Sequence, residues 1–130
     1  MTRRQAREEA FILIFEKQFN SLDISEILEI AKEVRDLEPD DYITSVFSGV
    51  YENLETIDSI IAENAIGWKL NRISKVSLCV LRLAIFEMKY VENIPVSVSI
   101  NEAVELAKKY ATKEDASFIN GILSTVEKNN

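Results

Sequence analysis

A chain of 130 residues, 47% apolar and 28% charged with a net charge of −7, fits one globular domain and excludes a disordered tail or a membrane span. It holds no histidine, three glycines and one cysteine, Cys79. Those scarcities remove histidine-centred acid–base and nucleophilic chemistry, most zinc sites, a Gly-rich phosphate loop and any internal disulfide.

No enzyme, metal or cofactor is expected on these grounds. The free thiol and the charged N-terminus, which does not read as a secretory signal, predict a cytoplasmic protein. Charge is uneven along the chain. Residues 1–7 carry three arginines and no acid, residues 8–63 fifteen acids against three bases, and residues 64–130 seven acids and nine bases. An acidic chain repels nucleic acid at long range, yet a local basic site still binds it.

Helical periodicity dominates, and β-branched alternation is rare. A first helix is predicted over residues 3–19. Asp23 and Glu26 have the spacing of a capping box and open a second over about 24–37. Pro39 restarts the chain into a long third helix, about 40–65, with a candidate break near Asn53 and a stop at Gly67. Ser74 caps a helix over 75–91, and Pro95 precedes one over about 97–111. Thr112 with Asp115 caps the last, to about 127. The fold class is therefore all-α, a bundle of about six to seven helices, with two small helical halves at about 1–66 and 67–130.

In the first helix Arg3, Arg4 and Arg7 share one face, and Phe11 and Phe15 continue on the same side. Guanidinium forks that grip phosphates, followed by rings that stack on unpaired bases, suit single-stranded nucleic acid. The competing reading makes the arginines a solvated face and the phenylalanines core, since the run from Ala10 to Phe15 is apolar all round. Arg82 and Glu87 interrupt the apolar helix KVSLCVLRLAIFEMKY without an opposite charge three or four residues away. Each needs a tertiary partner, solvent or another protein. Cys79, without a histidine to activate it, reads as a core thiol. Lys108, Lys109 and Lys113 form a second basic cluster, either nucleic-acid-binding or solvated. Gly121, inside the last helix, suggests close approach of a neighbouring helix.

The stretches RRQAREEAFILIFE, GWKLNRISKVSLCVLRLAIFEMKY and IPVSVSINEAVELAKKYATKEDASFINGIL, in that order, resemble the NusB family over nearly the full length. The resemblance implies an all-α RNA-binding fold and a role in transcription antitermination. NusB-like proteins bind the single-stranded boxA element of nascent RNA with the ribosomal protein NusE, then join RNA polymerase and other Nus factors, notably in ribosomal RNA operons. By position it implies RNA contacts at Arg3, Arg4, Arg7, Phe15, Glu114 and Phe118, and a NusE-docking role for Glu87. Phe15 stands where tyrosine is common, and Gln5 departs from an arginine-rich setting. Three phosphate contacts imply a salt slope of only about −2, hence weak binding without the partner. Alternatives are a protein-binding module or homodimer that hides the arginine face, and the NusB-like domain that occurs joined to ribosomal RNA methyltransferases.

Overall fold

The computed structural model describes residues 1–129. Among them the chain forms seven α-helices: α1 (Arg3–Lys17), α2 (Ile24–Arg35), α3 (Asp41–Glu52), α4 (Leu54–Asn64), α5 (Lys75–Tyr90), α6 (Val96–Tyr110) and α7 (Lys113–Lys128). A single 3-10 turn, Leu70–Arg72, precedes α5. The all-α class is as the periodicity predicted. The long third helix breaks at Asn53, which leaves helical geometry at φ −114°, ψ 20° and turns its side-chain amide back to the Gly49 carbonyl.

The ends of the helices follow local chemistry. Asp23 accepts from the Glu26 N–H while the Glu26 carboxylate accepts from the Asp23 N–H, and Thr112 and Asp115 do the same at α7. Asp36 and Asn93 adopt left-handed geometry after α2 and α5, the conformation in which asparagine and aspartate cost least. Gly67 turns the chain at φ 83° after α4.

Helix α5 is the central element. Every residue from Cys79 to Glu87 is buried, because α1, α3, α4, α6 and α7 all pack against it. One continuous apolar cluster runs through all seven helices. The packing of α3 on α5 depends on Gly49: a Cβ there would enter the ring of Phe86. The expectation for Gly121 is corrected. Nothing lies within 4 Å of a Cβ at that position, so α7 turns this glycine to solvent and no helix approaches it. No helix among the described residues is long and apolar enough to cross a membrane.

Candidate nucleic-acid interface

Helix α1 begins with a capping box that the arginines obscure in the sequence. Thr2 accepts from the Gln5 N–H, and the Gln5 side chain accepts from the Thr2 N–H. Gln5 is thus a helix-starting residue, which accounts for a glutamine among arginines. No acidic residue occupies the first turn, so Arg3 and Arg4 add positive charge to a helix end that already carries it.

The three arginines have different surroundings. Arg3 is exposed, its guanidinium 4.4 Å from the centre of the Tyr42 ring. The Arg4 side chain is 73% exposed, and its Nε and Nη2 both donate to Glu102 Oε1, at 3.2 and 3.1 Å. Arg7 was expected on the same open face and is instead 4% exposed. Its Nε and Nη2 donate to the two carboxylate oxygens of Glu87 at 2.9 and 3.1 Å. Burial alone would lower the Arg7 pKa, but hydrogen bonds and attraction to Glu87 outweigh it and raise the group.

Glu87, to which the resemblance gives a docking role and whose unpaired charge calls for a tertiary partner, solvent or another protein, lies inside the chain. It is 1% exposed, enclosed where α1, α3 and α6 close over α5. Besides Arg7, its carboxylate accepts from the Tyr42 hydroxyl at 2.5 Å and the Ser99 hydroxyl at 2.7 Å. Burial, then the adjacent Glu87 charge, drives the Tyr42 phenol well above its usual range. The basic partner that the isolated carboxylate called for is Arg7 of its own chain. Arg82 is satisfied in the same way by a two-pronged pair with Asp58, both bonds at 2.9 Å.

Beside Arg4 lies a cleft of about 240 Å³ lined by Arg4, Arg7, Glu8, Glu102, Glu105, Leu106 and Lys109. Lys109 Nζ pairs with Glu8 at 2.5 Å, and the Tyr110 hydroxyl donates to the same oxygen at 2.6 Å. Those two bonds, Lys109 first, pull the Glu8 pKa below its usual value. Burial and the bond to Glu8 push the Tyr110 phenol up to about 12. The cations here are therefore held by carboxylates, at an open rim where phosphate oxygens can compete for them.

A row of rings borders this rim. Phe11 stacks toward Tyr110 at 5.0 Å and toward Phe15 at 6.2 Å, and Phe15 meets Phe19 edge-on at 5.0 Å. Phe11 is core, Phe15 half-buried, Tyr110 and Phe19 exposed. Phe118 is half-buried and packs edge-on against exposed Trp68 at 5.2 Å. Glu114 is exposed in the first turn of α7. Lys108 pairs with Glu105 at 3.6 Å, while exposed Lys113 lines a separate shallow groove with Lys108, Ser117 and Asn120.

Tyr42, Ser99 and Glu102 were not singled out from sequence. Their roles arise from contacts between helices, and only the unpaired charge at Glu87 signalled that such partners must exist. Phe19 did carry a signal, since it extends the four-residue spacing of Phe11 and Phe15. Cys79 is fully buried, and burial pushes its thiol up to about 12, so it holds no reactive thiolate at neutral pH. No cluster of three or more Cys, Asp or Glu side chains placed to hold a metal ion occurs among the described residues.

The chain is similar to known proteins over nearly its whole length. The model of the NusB family matches residues 4–128. The chain is 45% identical to the transcription antitermination protein NusB of Ruminiclostridium cellulolyticum, over 98% of this chain and 90% of that one. It is 48% identical to the NusB of Acetivibrio thermocellus, with the same coverage. Among solved structures, T. maritima NusB superposes with a TM-score of 0.87 at 36% identity, covering 100% of this chain and 93% of that one. A structure described as antitermination factors NusB and NusE in complex with dsRNA gives 0.86 at 25% identity, with both chains fully covered.

Proposed function

Because this chain belongs to the NusB family of transcription antitermination proteins, we propose that it binds single-stranded boxA RNA together with NusE. The pair then joins RNA polymerase and other Nus factors in the cytoplasm and prevents premature termination, notably in ribosomal RNA operons. It acts by binding, not by catalysis. The similar NusB crystallised with NusE and dsRNA supports NusE and RNA as the partners.

The observation that carries the reading is the rim of α1. Arg3 and Arg4 project from a positively charged helix end, Lys109 of α6 pairs with Glu8 of that helix, and the Phe15 ring lies about two turns beyond Glu8. The exposed forks take phosphates, and half-buried rings offer faces to unpaired bases. Arg7 contributes indirectly: locked to Glu87, it fixes the position of the helix that presents Arg3 and Arg4. Glu87 likewise serves the partner complex from within, by holding α1, α3 and α6 in register on α5. Phe118, beside Trp68, and exposed Glu114 form the far edge of the RNA surface.

Fluorescence anisotropy of a labelled boxA RNA against a scrambled strand, with and without NusE, tests the reading. An Arg3→Ala, Arg4→Ala double variant should lose affinity and flatten the salt slope by about 1.4, two phosphates' worth. Arg7 is left intact because its loss would disturb the fold. Absence of selectivity in wild type, with NusE present, would refute the proposal and favour a protein-binding module.

A further inference from the structure

We propose that Phe19 and Lys75 form an additional nucleotide-binding step, an aromatic platform with its own phosphate contact, at the end of the ring row on α1. The inference rests on the RNA reading above and adds a residue pair to it.

Phe19 follows the last turn of α1, its N–H bonded back to the Glu16 carbonyl, and its side chain is 57% exposed. It is no stray surface residue: its ring meets Phe15 at 5.0 Å, so the row Tyr110, Phe11, Phe15, Phe19 is continuous. Lys75, the first residue of α5, sets its ammonium 4.9 Å from the centre of the Phe19 ring. Lys75 is exposed and forms no ion pair among the described residues. It differs there from Arg4 and Lys109, which carboxylates already hold.

A cation that no carboxylate holds, beside an exposed ring, matches the two halves of one nucleotide. The base lies on the ring and the phosphate meets the ammonium. Phe11 lies in the core, but Phe15 and Phe19, four residues or about one helical turn apart, offer two successive stacking positions along an extended strand. Helices α2 and α3 carry five acids against two bases and disfavour a nucleic-acid path over them, whereas Lys75 offers a cation that no carboxylate holds among the described residues. The occupant is thus an unpaired base of the same RNA strand, stacked without base-specific hydrogen bonds.

The test measures RNA binding by the full chain with NusE, using Phe19→Ala, Phe19→Leu, Phe19→Tyr and Lys75→Ala. Phe19→Ala should weaken binding about five- to hundredfold, the range of one base–aromatic stack. Phe19→Tyr should retain affinity and Phe19→Leu should not, a contrast at similar apolar size that a packing role would not produce. Lys75→Ala should flatten the salt slope by about 0.7. RNAs shortened from each end in turn should find one truncation that weakens wild type and leaves Phe19→Ala unaffected. Wild-type affinity in both Phe19→Ala and Lys75→Ala would overturn this inference while leaving the RNA reading intact. Full affinity in Phe19→Leu would reduce Phe19 to packing and also overturn it. Failure of wild type to bind any RNA would overturn both.

Discussion

Replacing Glu87 with alanine leaves the Arg7 guanidinium buried without its counter-charge. The carboxylate accepts four hydrogen bonds, two from Arg7 and one each from Tyr42 and Ser99. Removing one partner of such a buried pair costs about 3–5 kcal/mol, because the remaining charge keeps its desolvation penalty. A domain of this size has a total stability of roughly 5–15 kcal/mol. The loss therefore takes a large share of it, and lowers Tm by about 10–20 °C. Urea unfolding at neutral pH, followed by circular dichroism, measures it. Glu87→Gln should fall between wild type and alanine, since its amide retains one acceptor and presents a donor to other donors. The double variant Arg7→Met, Glu87→Leu removes both charges and should recover much of the loss. A Glu87→Ala cost below about 1 kcal/mol, or a double variant no better than the sum of its parts, would refute the argument.

The two helical glycines should respond in opposite directions. Gly49→Ala drives a methyl into the Phe86 ring and should destabilise by about 1–3 kcal/mol in thermal unfolding. Gly121→Ala meets open space and should stabilise by about 0.5–1 kcal/mol through helix propensity. Glu102→Gln weakens the carboxylate hold on Arg4, so RNA affinity should rise in anisotropy at low salt, with a steeper salt slope. Glu8 has a folded-state pKa below its ordinary value of 4.5, so its stabilising contribution is complete above that pH and disappears as pH falls through the lowered value. Wild type should therefore exceed Glu8→Gln in stability at pH 6, and the gap should close toward pH 3.

The helix ends were legible because their determinants are local. Asp23 with Glu26, Thr112 with Asp115, and the break at Asn53 each depend on residues three or four apart. The opening box of Thr2 and Gln5 is equally local, but three arginines drew the reading toward charge. Arg82 and Glu87 were legible as a demand: two charges in an apolar helix need partners from elsewhere. Which partners was not legible, since Arg7 lies eighty positions from Glu87 and only the packing of α1 on α5 brings them together. The same cause misplaced Arg7 itself. A helical wheel orders residues around an axis, yet does not say where the neighbouring helix begins to cover them. Gly121 erred oppositely, because a glycine in a helix fits close approach and open solvent equally well.

The buried pair Arg7–Glu87 and the part-buried pair Arg82–Asp58 both cross the middle of the chain, and they do so with opposite polarity. Residues before Gly67 supply Arg7 and Asp58, and residues after it supply Glu87 and Arg82. Severed at that turn, each fragment would carry one orphaned cation and one orphaned anion that only the other fragment neutralises. Each half of the chain thus holds the counter-ions of the other, so the charges left inside one half are neutralised only as the two halves fold together.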